Sequence, residues 1–512
     1  MTRLGQFWFP GPFRLGQSDL FILTGLIAIL IALNYALGSR SRSTEDFFLA
    51  RRQIPWWVAV LSFVATEVSA VTIISVPAVA YKENWEYAQF FIGSALARIV
   101  IAYMFIPAFY YYNCVTIYEF LMHRFGAATQ RAATVFFYVT RLLGSGVRLM
   151  AASLAMSVLF GWHILPTIIL FATISLTYIL YGGIKAVVWT GVFQTSMFIV
   201  GGLASITYLV LHIHGGWHAV FQIAGAAGRL QFWNWGPHGN SPDFWRDFFR
   251  DPNIVYIAVL NGFFGSMAAF GTDQELMQRL LTVETRRQSQ KSMVSTPLAS
   301  GLVLVIYLTV GSCLYVFYAQ NPALPIPAKF DAIFPHFIAH VMPSFLRGLL
   351  LAVVVLASIE SPVVSLTASF VTDIYKPLIN DHADEAYYLK LSRRCVAVFA
   401  LILILIAYTF SHFQNILWLA FKIGGVTFGS LLGVFLLGFL TTRRSNRANV
   451  WGMTIMAAAN AVLLTLSETH LAPIGWTWLL LIGTAGTFGI GYIWGPRMDP
   501  SPAHSADFRP LL

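Results

Sequence analysis

The stretch that decides the fold is Phe63-Val64-Ala65-Thr66-Glu67-Val68-Ser69-Ala70-Val71-Thr72. It places a carboxyl group among short hydroxyl side chains in the middle of segment 56–80, which is otherwise apolar. A segment of this length can cross a bilayer, because a spanning helix needs about 20 apolar residues. Ionisable side chains inside a bilayer are costly and are usually functional. The stretch therefore predicts a membrane-spanning segment with a binding site at its centre.

The composition of the whole chain is that of a membrane protein. Its 512 residues are 57% hydrophobic and 11% charged, whereas soluble domains carry about 25% charged residues. Charge-poor stretches bounded by Gly, Pro or basic clusters predict an all-α integral membrane protein with about thirteen transmembrane helices. The predicted spans are 20–37, 56–80, 88–112, 132–160, 163–181, 187–213, 254–278, 294–320, 344–372, 393–411, 414–439, 448–468 and 472–495.

The basic residues predict how these spans are oriented. With the N-terminus outside, the connections on the inner side hold 20 Lys and Arg residues and those on the outer side hold 7. Cytoplasmic connections are the ones enriched in Lys and Arg. We therefore expect an outer N-terminus and a cytoplasmic C-terminus in a cell (inner or plasma) membrane. The same bias accounts for the net charge of +10 without a nucleic-acid partner.

The motifs do not suggest an enzyme or an ATP-driven pump. The longest outer connection, 214–253, is too short for an independent domain, and the chain has no GxxxxGK[ST] motif. No Ser/His/Asp arrangement or paired-carboxylate site argues for hydrolysis. The three cysteines are far apart, which suggests neither a disulfide framework nor a zinc site. We therefore expect a transporter.

A second polar cluster lies in span 344–372. The segment Ala357-Ser358-Ile359-Glu360-Ser361-Pro362 contains the other acid, besides Glu67, that lies deep within a predicted span. Hydroxyl and carbonyl oxygens with one carboxylate suit a hard cation such as Na⁺. The alternative is that these serines bond to their own helix or to a neighbouring one. Two such clusters, each with an intramembrane Glu, favour an ion site.

The spans fall into two sets of five, 56–213 and 254–439, between one extra N-terminal helix (20–37) and two C-terminal helices (448–495). An odd number of spans in each set inverts the second set relative to the first. The first span of the second set contains Asn261-Gly262-Phe263-Phe264-Gly265-Ser266. Polar or Gly-interrupted segments at corresponding places of two halves mark the broken helices of a transporter's binding site. We therefore expect a broken helix in each half, here and at Glu67.

Several motifs in this order resemble the sodium:solute symporter family, which includes sodium/sugar, sodium/proline and bacterial sialic-acid symporters. Each motif is weak alone, and the order and spacing of the set are specific. The resemblance covers nearly the whole chain and implies a LeuT-like inverted-repeat fold with thirteen helices. The motifs are 65–70 with 75–77, Gly182-Gly183-Ile184-Lys185-Ala186-Val187-Val188-Trp189-Thr190, Gln278-Arg279, Phe370-Val371-Thr372-Asp373-Ile374-Tyr375-Lys376 and Gly433-Val434-Phe435-Leu436-Leu437-Gly438.

The resemblance implies a main sodium site. Its ligands would be the backbone carbonyls of Ala65, Val68 and Val354 and the hydroxyl of Ser358. A second, adjacent serine of the family is Ala357 here, so one ligand oxygen is missing.

The sialic-acid symporters have a second sodium site, in which this chain departs from the family. The family's Asp is Gly191 here, one family serine is Glu360, and another is kept as Ser361. We hypothesise that Glu360 replaces the missing Asp as a sodium ligand. The competing interpretations are a proton-carrying Glu360 and a Glu360 paired with an intramembrane Arg.

The resemblance leaves the solute open. The sialic-acid-binding Gln and Arg of the family align with Phe91 and Gly144, and the sugar-binding Gln aligns with Phe421. Neither sialic acid nor a simple sugar is therefore supported. Ser69 and Thr72, which line the solute cavity in the sialic-acid type, are kept.

Intramembrane cations give a further indication about the solute. The predicted spans hold four of them near the site against the two acids Glu67 and Glu360. A carboxylate-bearing solute would complete the balance, since Arg suits planar anions. Alternatively, the arginines pair with those acids and with helix C-terminal carbonyls, and the lysine snorkels outward. The four cations are Arg98, Arg141, Arg148 and Lys422.

These observations predict a sodium-coupled symporter that works as a monomer. We expect Na⁺ to order the broken helix and the solute to bind at mid-membrane beside Glu67, Ser69, Thr72 and Asn261. The alternatives are a proton-coupled carrier that uses Glu67 or Glu360, and a membrane sensor that has lost transport.

Overall fold

The structure is a computed structural model that describes residues 16–37, 43–160, 163–237, 248, 251, 253–327, 332–357, 362–411, 416–469 and 477–496. The described chain is helical, as predicted. The helices are α1 (Gln17–Leu37), α2 (Thr44–Leu49), α3 (Trp56–Glu67), α4 (Ala70–Lys82), α5 (Gln89–Val100), α6 (Ile106–Tyr111), α7 (Ile117–Arg124), α8 (Ala127–Phe160), α9 (Ile164–His212), α10 (Gly216–Ala219), α11 (Val255–Gly271), α12 (Gln274–Leu281), α13 (Arg286–Gln320), α14 (Ile333–His340), α15 (Ser344–Leu356), α16 (Pro362–Ser369), α17 (Lys376–Leu378), α18 (Glu385–Phe410), α19 (Ile416–Leu440), α20 (Asn446–Glu468) and α21 (Thr477–Trp494).

Two pairs of helices are sharply bent at a short break. The axes of α3 and α4 differ by 65°, and those of α11 and α12 differ by 67°. The first break follows Glu67, where a break is predicted. Each bent pair is the first span of one of the two predicted five-span sets. The positions of the breaks therefore agree with the expectation of one broken helix in each half.

The second break lies at a different place from the one predicted. Asn261 to Ser266 are helical throughout, and α11 ends at Gly271. The break falls at Thr272 and Asp273, where the Asp273 carboxylate accepts the backbone N–H of Glu275 (2.9 Å) and caps α12. An Asp that binds the free N–H groups of a first turn starts a new helix efficiently. The expectation of a break within 261–266 is therefore wrong.

Gly262 of that segment serves close packing. A Cβ on Gly262 would lie 2.1 Å from the carbonyl oxygen of Phe90, and a Cβ on Gly93 would lie 2.0 Å from that of Val259. Helices α5 and α11 thus touch backbone to backbone, which small residues permit in membrane proteins. This contact ties the second helix of one half to the first helix of the other.

Helix α9 contains two predicted spans, 163–181 and 187–213, joined at one residue. Gly183 has φ +53° and ψ −141°, a conformation that favours glycine. A Cβ there would lie 2.6 Å from the carbonyl oxygen of Phe47. The short helix α2 therefore packs directly against this kink.

Several helices are longer than the apolar segments from which the spans were predicted. Helices α13 and α18 begin eight residues before the predicted spans 294–320 and 393–411. Thr285 and Asp384 cap them by accepting the N–H groups of Gln288 and Tyr387. Hydropathy marks the apolar part of a helix, whereas its start is set by the cap.

The number of membrane spans is a separate question. Within the described residues, five helices are long and apolar enough to cross a membrane, or seven if each bent pair is one span. Shorter apolar helices include those at Ser344–Leu356 and Trp478–Trp494. The count of thirteen, the inverted repeats and the boundaries 56–213, 254–439 and 448–495 stay predictions.

The extra N-terminal helix is held by a buried ion pair. Asp19 is fully buried and accepts from Nε and Nη2 of Arg347 on α15, at 3.0 and 2.5 Å. A second contact is the close approach of Gly348 to the Asp19 backbone. Helix α1 therefore fixes the start of α15, whose far end carries Val354.

The packing of α5 on α11 can be tested with Gly262→Ala. The new Cβ has to push the two helices apart, and overpacking of this kind costs about 1–3 kcal/mol. We expect a lower Tm for the purified protein. The control is Gly301→Ala on α13, where an added Cβ meets nothing within 4 Å and removes the cost of a helical glycine. Equal stability of the two variants would contradict the packing argument.

Candidate sodium and solute site

The break after Glu67 is built by Ser69 and Thr72. Ser69 caps α4, its hydroxyl accepts the backbone N–H of Thr72, and the Thr72 hydroxyl accepts the backbone N–H of Ser69. In a continuous helix these two N–H groups would bond to the carbonyls of Ala65 and Val68, four residues earlier. The capping box therefore diverts the helical donors of the two carbonyls that the resemblance assigns to sodium.

The third carbonyl ligand, from Val354, lies in the last turn of α15. Two adjacent residues of α9 bind both this turn and helix α3. Gln194 Nε2 donates to the Leu356 carbonyl (2.9 Å), and Thr195 Oγ1 donates to the Leu61 carbonyl (2.7 Å). The two segments that carry the predicted carbonyl ligands are thus anchored at the same level of one neighbouring helix.

The structure explains why an acidic side chain is absent at position 191. A Cβ on Gly191 would lie 2.7 Å from Cα and 2.8 Å from Oγ of Ser62. Helices α9 and α3 therefore touch at this point, and no side chain fits between them.

Several predicted residues lie outside the described part of the chain. Ser358, Glu360 and Ser361 belong to the undescribed residues 358–361. Phe421 and Lys422 lie on α19, but their side chains are not described. The roles predicted for these five residues stay predictions.

Glu67 is part of a polar network that joins four helices. Its Oε1 pairs with Nη2 of Arg98 on α5, and its Oε2 accepts from Ser300 on α13 at 2.6 Å. Arg98 also donates to Ser300 (3.2 Å) and Ser94 (3.3 Å), and Ser266 on α11 bonds to Ser94 (2.8 Å). Hydrogen bonds in a buried network of this kind strengthen one another, although Arg98 Nε has no partner among the described residues. The network thus fixes α3, α5, α11 and α13 relative to one another.

The predicted cation balance changes once the partners are known. Arg98 pairs with Glu67, as one of the two interpretations has it. Arg141 on α8 pairs with Asp273 Oδ2 (2.6 Å) and Glu275 Oε2 (2.7 Å) at the second helix break, and both acids are buried. Counting Glu67 and Glu360 as the deep acids was therefore incomplete. Arg141 serves the protein's own carboxylates, and its predicted role as a solute ligand stays a prediction.

The remaining predicted solute residues lie on α4, α5, α8 and α11. Thr72, Phe91, Arg148 and Asn261 are half-buried, and Ser69 is buried at the break. Phe91 forms an aromatic group with Tyr87 and Phe90, with ring centroids 6.0–6.1 Å from its own. Their roles in solute binding stay predictions.

The sequence interpretation missed Asp273, Glu275, Ser94 and Ser300. Gly271-Thr272-Asp273 is a helix stop followed by a capping residue, so the second break could have been found from this pattern. The two serines resemble any other serine on an apolar helix, and no sequence signal distinguishes them.

A further buried carboxyl, that of Asp373, lies in the middle of the motif 370–376, one residue beyond the predicted span. Asp373 accepts from Thr116 (2.6 Å), Gln130 (2.9 Å) and Thr134 (3.3 Å). Burial raises the pKa of Asp373 well above its ordinary range, although these three hydrogen bonds act in the opposite direction. The residue joins α7 and α8 to the π-helical turn Phe370–Tyr375.

Comparison with known proteins identifies the family. Residues 47–455 match the sodium:solute symporter family, and the chain belongs to this family. It is 26% identical over 496 residues to the sodium/sialic acid symporter NanT of Aliivibrio fischeri, covering 94% of this chain and 93% of NanT. It is also 26% identical to the human sodium-coupled monocarboxylate transporter 1, covering 82% of this chain and 69% of that protein.

A solved structure has the same fold. A Na⁺-coupled sialic acid symporter in a substrate-bound, outward-open state superposes with a TM-score of 0.81 at 22% identity, covering 94% of this chain and all of that chain. The predicted LeuT-like helical fold is therefore confirmed. Sodium-coupled symport of a small organic solute, with Na⁺ as the co-transported ion, follows from the family and its members.

Arg141→Gln tests the charge cluster at the second break. Removing one partner of a buried ion pair costs about 3–5 kcal/mol, and here Asp273 loses its ion pair while Glu275 keeps only Arg279, at 3.6 Å. We expect a large fall in Tm, measured by thermal unfolding in detergent. Arg131→Gln, at an exposed position of the same helix, should leave Tm nearly unchanged. If Arg141→Gln is as stable as Arg131→Gln, the pairing with Asp273 and Glu275 is wrong.

Proposed function

We propose that this protein imports a small carboxylate-bearing solute together with Na⁺, by alternating access. The observation that carries the sodium part is the capping box of Ser69 and Thr72, which diverts the helical partners of the Ala65 and Val68 carbonyls. Carbonyl oxygens of an unwound segment are suited to a hard cation. The Na⁺ gradient and the membrane potential, about 2.3 kcal/mol per charge per 100 mV, drive accumulation.

We assign the main sodium site to the carbonyls of Ala65, Val68 and Val354 and the hydroxyl of Ser358. The anchoring of α3 and α15 by Thr195 and Gln194 supports it. The missing hydroxyl at Ala357 leaves room for water or solute as a further ligand. Ion binding would draw α15 towards the break and stabilise the bent form of α3 and α4.

We further propose that Glu360, with Ser361, supplies the charge of a second sodium site. The close contact of Gly191 with Ser62 supports it, because the family's usual acidic position cannot carry a side chain here. A proton carried by Glu360 is the alternative. Glu67 is already engaged by Arg98 and Ser300 within the protein.

The carboxylate of the solute is proposed from the relatives, whose names specify sialic acid and monocarboxylates. Arg141 is already paired with Asp273 and Glu275, so we do not include it among the proposed solute contacts. Ser69, Thr72 and Asn261, with Phe91 at the side, are the proposed solute contacts. We also propose a plasma (inner) membrane location, an outer N-terminus, a cytoplasmic C-terminus and a functional monomer.

The double variant Ser69→Ala/Thr72→Val tests the sodium site. Losing a helix cap costs about 1 kcal/mol, so the bent form becomes less populated and sodium affinity falls by up to about fivefold. The measurement is ²²Na⁺ binding to purified protein without solute. Thr207→Val, which removes an exposed hydroxyl bonded to its own helix, is the control. Unchanged sodium affinity in the double variant would contradict the assignment.

Glu360→Gln tests the second site. Removing the carboxylate should lower the number of Na⁺ ions carried per solute by one, because that site loses its charge. The measurement is the reversal potential of solute flux in proteoliposomes at several sodium gradients and pH values. Unchanged sodium coupling with an altered pH dependence would favour the proton carrier instead.

A further inference from the structure

The ion pair between Glu67 and Arg98 is unequally exposed. The Arg98 side chain is 1% exposed and the Glu67 side chain is 13% exposed. The Arg98 guanidinium lies between two aromatic rings, 4.6 Å from the centroid of Phe270 and 5.6 Å from that of Phe63. A solute therefore meets the carboxylate of this pair and does not meet the guanidinium.

The Glu67 carboxylate has acceptor capacity left. Two carboxylate oxygens offer about four acceptor sites. In the described part of the chain, one site on Oε1 is used by Arg98 and one on Oε2 by Ser300. Glu67 is the last residue of α3, so it lies at the helix break, one residue before Val68.

We propose that Glu67 is a specificity-determining residue that accepts a hydrogen bond from a neutral donor, foremost a hydroxyl, on the solute. This rests on the proposed function, since it assumes that the solute binds at the break. The charge of Arg98 already balances the carboxylate, so a neutral donor gains a charge-assisted hydrogen bond without bringing an unpaired charge into the membrane. An anionic group would be repelled from this point. The solute is thus a hydroxylated carboxylate, with its hydroxyl at Glu67 and its carboxylate elsewhere.

The position of the network also links this contact to sodium. Ser300 and Arg98 hold the Glu67 side chain, and the next residue, Val68, carries a proposed sodium ligand. A solute hydroxyl on Glu67 therefore binds next to the ion without displacing it. Solute and sodium are expected to stabilise the same bent segment.

The test is a binding panel of matched compounds on the full-length protein in sodium. The three-carbon series is lactate, alanine and propionate, and the six-carbon series is gluconate, norleucine and hexanoate, with N-acetylneuraminate as a larger hydroxylated compound. A hydrogen bond to a charged group is worth a factor of about 10 to 100 in affinity. We expect a hydroxylated member to bind that much more tightly than its hydrogen or ammonium analogue.

The double variant Glu67→Gln/Arg98→Gln should remove this preference, because it deletes the carboxylate without leaving an unpaired arginine. Glu67→Asp, which withdraws the carboxylate by one methylene, is the second variant and should weaken the preference. The control Asp19→Asn/Arg347→Gln neutralises another buried ion pair, between α1 and α15. It should leave the preference for hydroxylated compounds unchanged.

Four results would overturn the proposal. They are equal binding of the hydrogen analogues, tighter binding of the ammonium compounds, failure of every hydroxylated compound to bind, and persistence of the preference in both Glu67 variants. Failure of the proposed function is a separate result, because sodium would then neither stabilise the wild-type protein nor drive uptake of any compound.

Discussion

The account depends on one local constraint, the diversion of two backbone N–H groups by the hydroxyls of Ser69 and Thr72. A spanning helix normally satisfies every backbone group within itself, and a break inside a bilayer has to find other partners. The capping box satisfies the donors of α4 with side chains and so leaves the carbonyls of Ala65 and Val68 for a different partner. A small cation is a suitable one, and its binding in turn stabilises the break.

The charged groups around the two breaks also find partners within the protein. Arginines lie at both breaks, Arg98 at the first and Arg141 with Arg279 at the second, and each is paired with acids of this chain. Because Arg141 lies on α8 and its acids lie at the junction of α11 and α12, this cluster joins the two predicted halves. The first network joins α3 and α5 to α11 and α13. Both breaks are therefore held by contacts between the two predicted halves. A transporter needs such contacts if its two broken helices are to move together.

The sequence predicted the parts of this site that are local. Glu67, Ser69 and Thr72 lie within six residues, so their effect on the helix is visible from their spacing. Partners distant in the chain are not visible in this way, which is why the pairing of Arg141 with Asp273 was missed. Gly262 was misinterpreted because a glycine permits a bend and a close helix contact equally. The resemblance to the family supplied Val354, which has no chemical signal of its own.

The most direct test of the central claim is hydrogen–deuterium exchange of the amides of residues 65–72, in sodium and in potassium at equal ionic strength. If Na⁺ binds to the carbonyls of the break, sodium should slow exchange at Ser69, Thr72 and their neighbours, since opening of the capping box then requires loss of the ion. Helices far from the break, such as α20, should be unaffected. Identical exchange of residues 65–72 in the two salts would contradict the account.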